Sequence, residues 1–371
     1  MKTSLTLAAA AALYTSGAIA GGVDRSGQPI GVIFEKGNYV EFSFASVNAT
    51  VSGTQVLVAP PSITGSPSGD MVNGHGYAGM ALKFAVSDRI DLAFIYDQPF
   101  GASVTYPAGT GYFAGGSTAL LSTDAFTAIG KYRFGDNFSV YGGVRQQTFS
   151  ANATLAFIPG VYTGTTAQDS STGYLIGAAY ERPEIAMRVA LTYNSRISHD
   201  LLTTETVGPF APPASIMTVE TPQSINLDFQ TGIAPKTLLF GGVRWVEWSE
   251  FVIAPPVYSA PTLVGAPLVS FADDTFTYSL GVGRQLNDTW AGAISVTHEP
   301  ATGGLKSNLA PTDGRTSVGV GVTYRQDNMK LQAGLQHIWI GDATTSVGGI
   351  PGGAFSGNTA VAFGLKAGFS F

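Results

Sequence analysis

The chain contains no cysteine, which excludes disulfides, thiolate nucleophiles, cysteine-held metals and a lipidated N-terminal cysteine together. Charge is scarce: Asp, Glu, Lys and Arg make up 12% of the residues, about half of what a soluble domain carries. With 19 basic and 25 acidic side chains the net charge is -6, and no basic tract offsets it, so a polyanionic partner such as nucleic acid is excluded. Beyond residue 20 no apolar run approaches the ~20 residues of a spanning helix, which rules out a helical membrane protein. Yet the mean hydropathy, +0.19, is high for a water-soluble chain. Strands whose residues alternate between lipid and a lumen reconcile the two facts.

Residues 1–20 read as a secretory leader, with Lys2 at its start, a short apolar stretch from Leu5 to Leu13, and Ala18-Ile19-Ala20 as a small-x-small cleavage site. The mature chain is then expected to begin at Gly21, and loss of Lys2 leaves 18 basic against 25 acidic residues, or -7. The remainder divides into a short segment, 21–37, and a barrel, 38–371.

Segments of alternating character recur along this second part. In the last, Val361, Phe363, Leu365, Ala367, Phe369 and Phe371 alternate with Ala362, Gly364, Lys366, Gly368 and Ser370. Phe276, Tyr278, Leu280 and Val282 behave alike, as do Val318, Val320, Val322 and Tyr324, so each set is expected to face lipid. Fourteen such segments are found, at 38–51, 74–86, 90–100, 119–134, 138–150, 172–182, 185–198, 218–231, 236–250, 273–286, 289–299, 315–325, 329–340 and 359–371. Tight turns such as Ser87-Asp88-Arg89 and Gly135-Asp136-Asn137 alternate with long loops. That alternation predicts an all-β, transmembrane antiparallel β-barrel of an outer membrane, set in lipid and lipopolysaccharide, with both termini periplasmic. Tyr132, Phe134 and Trp290 flank tight turns, as interfacial aromatics do.

The long loops are apolar. Phe157 and Ile158, Phe210 and Ile216, and Phe251, Val257 and Leu263 are the candidates for capturing a hydrophobic ligand. The alternative is a general diffusion porin for small polar solutes, which would instead line its constriction with charge. At the end of the third segment, Pro99 removes a ladder donor and Gly101 loosens the backbone, so Pro99, Phe100 and Gly101 are candidates for a lateral gate in the wall. Lumen-facing charges are few: Lys83, Lys131, Arg133, Arg145, Arg188, Glu299, Arg325 and Lys366. Arg145 alone falls near mid-depth, where a guanidinium could pair with a ligand carboxylate.

No catalytic site emerges. His298 stands beside Glu299 and near Ser295, but alternation directs Ser295 and His298 to opposite faces, and a nucleophile and base pointing apart cannot share a proton. Asp273-Asp274 is an isolated acidic pair, so neither a metal nor another cofactor is expected.

Several stretches resemble the FadL-type family of outer-membrane long-chain fatty-acid transporters: Gly22 to Gln28, Phe34 to Tyr39, Thr221-Pro222-Gln223-Ser224, Ala234-Pro235-Lys236, Trp245 to Phe251, Tyr278 to Gly283 and Leu286 to Trp290. The resemblance implies a monomeric barrel of fourteen strands, an N-terminal hatch in the lumen, ligand capture by outer loops, and passive release of fatty acids through a kink in the third strand. The chain departs from the family in its short segment before the first strand, which has no Asn-Pro-Ala motif. That departure implies either a more open pore or a plug supplied by loops.

Overall fold

The computed structural model describes residues 23–56 and 64–371, so the leader and its cleavage site lie outside the described residues. Seven strands, β1 to β7, run Tyr39–Thr50, His75–Ala85, Ile90–Asp97, Thr118–Phe134, Phe138–Leu155, Asp169–Arg182 and Met187–Asn194. Seven more, β8 to β14, run Ser224–Ala234, Thr237–Val246, Thr275–Gln285, Trp290–Glu299, Arg315–Gln326, Met329–Ile340 and Thr359–Ser370. Each pairs antiparallel with the next, and β14 closes on β1 from Tyr39↔Ser370 to Thr50↔Thr359. Closure leaves no open sheet edge to face hydrocarbon.

The alternation sets which way each strand faces. Leu280, Ile294, Val320, Leu335 and Leu365 point outward and are 45–55% exposed, whereas Ala81, Ala93, Ile129, Thr127 and Ala362 point inward and are buried. A one-residue slip would put the second set in lipid, so burial fixes the register.

At one end of the barrel the strands are joined by tight turns, with Tyr132 stacked edge-on against Phe134 (4.8 Å) and Trp290 against Tyr324 (4.9 Å) beside them. Gly135 turns at a φ of +61°, a conformation glycine adopts without steric cost. At the other end the barrel rises into loops that carry further strands, Tyr162–Thr166, Ile197–Val207 and Ser215–Thr221. The segments expected at 185–198 and 218–231 therefore divide in two. Asn194 and Ser195 are both buried, so the alternation slips there, and the hairpin beyond pairs with Tyr162–Thr166 instead of β6.

Apolar cores close both ends of the interior. Under the loops, Tyr106, Tyr112, Phe149, Trp248, Phe251 and Phe355 belong to one buried cluster. Toward the turns, a short 3-10 helix, Gly31–Phe34, places Val32 and Ile33 against Ala81, Ala93, Ile95, Ile129 and Tyr141. Phe34 meets the Tyr141 ring edge-on at 5.9 Å and lies under Lys131 and Arg188.

Candidate functional site: a break in the barrel wall

The β2–β3 ladder runs from Ala85↔Asp91 to Met80↔Tyr96 and then stops. Beyond that point β2 is paired on one side only: His75 to Gly79 face β1 but no residue of β3. The cause lies in β3. Opposite β4, Asp97 pairs with Ala125 and Gly101 with Ser122, so Gln98, Pro99 and Phe100 stand against only two residues. This is a bulge, which bends a strand away from its neighbour. Pro99 brings no N–H to either ladder, and the expected segment 90–100 therefore ends at Asp97 and resumes as Gly101–Thr105.

The bulge is held in shape from β4. Phe100 N–H donates to Thr123 Oγ1 (2.9 Å), and that hydroxyl donates back to the Phe100 carbonyl (2.8 Å). On the outer side the Asp124 carboxylate accepts from Tyr96 Oη (2.7 Å) and Gln98 Nε2 (3.0 Å). Pairing across the break resumes above it, where Thr105 N–H reaches the Met71 carbonyl. An opening remains, framed by residues 75–79 and 97–102.

The segment ahead of β1 crosses this opening from inside. Gly101 N–H donates to the Val23 carbonyl and Arg25 N–H to the Pro99 carbonyl, both at 2.8 Å, so Val23 to Arg25 pair with the bulge as a short inner strand. Ser26 donates to Asp97 (2.5 Å). Across the lumen Asp24 forms an ion pair with Arg244 on β9 (2.7 Å), and Ser224 donates to Gln28 (2.9 Å). Short as it is, the segment reaches across the interior.

Among the described residues, internal spaces adjoin it on several sides. A cavity of about 220 Å³ is lined by Ile30, Ala81, Ile95 and Asp97 from the lumen and by Phe44, Met80 and Tyr96, which belong to the outer face. Residues of both faces of the wall thus meet around it at the break. A second cavity, about 140 Å³, lies between the inner segment and β8–β13, with Arg244, Asp228, Ser295 and Gln336 in its walls beside Ile30, Phe240 and Ile338. Above the segment and beneath the loops is an apolar pocket of about 60 Å³, lined by Val23, Ala102, Leu121, Met217, Ile253 and Leu309 and by no charged side chain.

The structure gathers some of the sequence candidates and scatters others. Pro99, Phe100 and Gly101 frame the break, with Phe100 buried edge-on against Trp248 (5.8 Å). Phe251 and Ile158 are buried in the loop core, and Phe157 and Leu263 pack against it. Val257 approaches the same core through its backbone N–H, which donates to Glu205 (2.9 Å). Phe210 and Ile216 are each 58% exposed, and they stand outside this group, on the outer surface of the hairpin that rises from β7 and β8. Arg145 is buried, its Nε bonded to Thr127 Oγ1 (3.0 Å) and Nη1 to Asn194 Oδ1 (3.1 Å), so two of its donors are taken by the wall. Asp24, Arg25, Asp97, Glu205 and Arg244 are functional candidates that spacing along the sequence did not single out. Their partners lie up to 220 positions away and become visible only once the barrel is closed.

His298 is exposed on the outer face and bonded to Thr316 (2.9 Å), while Ser295 lines the second cavity inside. Asp274 accepts from Ser249 Oγ (2.6 Å) and Trp245 Nε1 (3.2 Å).

A closed barrel of fourteen strands with lipid-facing apolar residues, an interior filled at both ends and a break in its wall defines an outer-membrane transport barrel. Residues 29–371 match the family described as outer membrane protein transport protein (OMPP1/FadL/TodX), and the chain belongs to that family of outer-membrane transporters of hydrophobic compounds. Among solved structures, a FadL homologue from Pseudomonas aeruginosa is similar at a TM-score of 0.74 and 14% identity, over 96% of each chain. The toluene transporter TodX of Pseudomonas putida is similar at 0.63 and 10% identity, over 95% of this chain and 96% of its own. The toluene transporter TbuX of Ralstonia pickettii is similar at 0.61 and 12% identity, over 91% and 90% respectively. At such identities the likeness concerns the fold alone. No curated protein sequence matches the chain.

Proposed function

We propose that this barrel moves long-chain fatty acids or similar hydrophobic molecules inward without an energy source, capturing them under the outer loops and releasing them sideways into the bilayer. Both termini then face the periplasm, on the side of the tight turns. The observation that carries the reading is the break between β2 and β3, where a cavity lined by luminal residues continues to the outward-facing Phe44, Met80 and Tyr96. An apolar solute leaving there never crosses water, which a route down the barrel axis would require. The apolar pocket above the inner segment offers a resting place on the way. A porin for polar solutes, by contrast, needs an open lumen, and residues 23–34 stand across this one. Labelled fatty acid supplied to proteoliposomes should enter at a saturable rate. Rates equal to those of protein-free vesicles would refute the proposal.

A further inference from the structure

One carboxylate stands in the wall of the cavity at the break with one of its two oxygens unused. Asp97, the last residue of β3 before the bulge, lines that cavity and is 5% exposed. Its Oδ2 accepts from Ser26 Oγ (2.5 Å), and Ser26, whose oxygen accepts in turn from Gln28 N–H (3.1 Å), lines the same cavity. Its Oδ1 is buried and has no hydrogen-bond partner among the described residues. Two guanidinium groups lie within electrostatic reach, Arg145 and Arg244. Arg244 is paired with Asp24, and two donors of Arg145 are taken by Thr127 and Asn194. A carboxylate at membrane depth is expensive and marks a functional site, and an acceptor left unmade adds to its cost. The cavity around it is otherwise largely apolar on this side, with Ile30, Ala81, Ile95, Phe44 and Met80 in its walls.

We propose that Asp97 receives the head group of an amphiphile held in this cavity, and that the head groups it accepts are hydrogen-bond donors: an alcohol, a primary ammonium or amide, or an undissociated carboxylic acid. This deepens the side-exit reading above, on which it rests for the ligand's route. The alkyl chain lies against Ile30, Ala81, Ile95 and Met80, and its terminal O–H or N–H supplies Oδ1 with the missing partner. A hydrogen bond to an ionised acceptor is the strong kind, and low dielectric strengthens it further. An ether, an ester or a hydrocarbon of the same length brings no donor and leaves Oδ1 as it was. A fatty acid meets the condition as the undissociated acid, whose O–H is the donor; its carboxylate would set an acceptor and a second negative charge against Asp97.

The test is displacement of tritiated dodecan-1-ol from the detergent-purified protein by unlabelled dodecan-1-ol or by dodecyl methyl ether. Wild-type protein should favour the alcohol by about tenfold. Asp97→Asn keeps the bond to Ser26, because the Ser26 hydrogen needs an acceptor and turns the amide oxygen toward itself. The amide nitrogen then stands where Oδ1 was, a donor in place of an acceptor, and the preference should vanish or reverse. Ser26→Ala leaves the carboxylate in place with both oxygens free and should retain the preference. Equal displacement by the two compounds in wild-type protein, or a preference that survives in Asp97→Asn, would overturn the assignment. Loss of the preference in Ser26→Ala as well would trace it to the seating of the inner segment and equally overturn the role of Asp97. Uptake of labelled fatty acid into proteoliposomes is read in parallel. Uptake at the protein-free rate with the preference intact would overturn the side exit and leave the Asp97 site standing, whereas saturable uptake without the preference would do the reverse.

Discussion

Glu205 gathers three donors in one buried carboxylate: Tyr162 Oη (2.9 Å), Val257 N–H (2.9 Å) and Tyr258 N–H (3.0 Å). Through them it pins the proline-rich loop 251–271 to the strand Ile197–Val207. Glu205→Ala leaves two backbone N–H groups without that acceptor, and a buried unpaired donor costs about 1–3 kcal/mol. The variant should lose that much unfolding free energy in denaturant titrations of the lipid-embedded protein and should be cut faster by protease within 251–271; a stability equal to wild type would show that the loop is held by packing alone. Little of this was legible in the sequence. Alternation says that Glu205 faces inward, but it cannot say that Val257 will come to meet it 52 positions later. For the same reason Arg145 stood out, as the one charge near mid-depth, whereas Arg244, whose ion pair depends on a chain crossing the lumen, did not. Phe210 and Ile216 carry the opposite lesson: apolar residues in a loop can face outward as readily as toward a ligand.

At the scale of elements the period-two pattern carried most of the fold, because a strand buried in lipid on one face and wetted on the other has no other way to be written. All fourteen strands were visible, and the disagreements fall where the pattern itself is interrupted, at Asn194-Ser195, at Pro222-Gln223 and at Gln98 to Phe100. The wall position of Leu280, outward and 53% exposed on β10, allows a direct check. Leu280→Arg should cost about 2–4 kcal/mol of stability in lipid if that face meets the bilayer core. An indifferent Leu280→Arg would place the residue outside the hydrocarbon. The bulge in β3 is the second test. Deleting Pro99 leaves two residues opposite Thr123 and Asp124 in place of three, which restores an even register with β4. A straightened β3 should then pair with the free edge of β2, and fatty-acid uptake into proteoliposomes should fall toward the protein-free rate. Undiminished uptake by a folded deletion variant would mean that the bulge is not the exit.

The whole molecule divides into a loop-capped upper interior and a plugged lower one, with the side opening between them. Ion pairs stiffen the lower part: Asp91 meets Lys83 (2.9 Å), Lys131 (3.3 Å) and Arg133, and Lys330 meets Glu35 of the inner segment (2.6 Å). A solute in the upper pocket therefore finds apolar contact above, a charged plug below, and the break in the wall beside it. From the sequence, the barrel and the interruption of strand pairing at Pro99 to Gly101 could be read, since both follow from local chemistry. That the inner segment pairs with the interrupted stretch could not, because its hydrogen bonds to Pro99 and Gly101 join residues 74 and more positions apart. The most direct test of sideways release is to clamp the opening. Continuing the register from Met80↔Tyr96 sets Ala78 opposite Gln98, and the absence of cysteine makes an Ala78→Cys, Gln98→Cys pair unique in the chain. Cross-linking this pair should abolish labelled fatty-acid uptake into proteoliposomes and reduction should restore it, whereas equal uptake in the cross-linked and reduced states would contradict release through the wall.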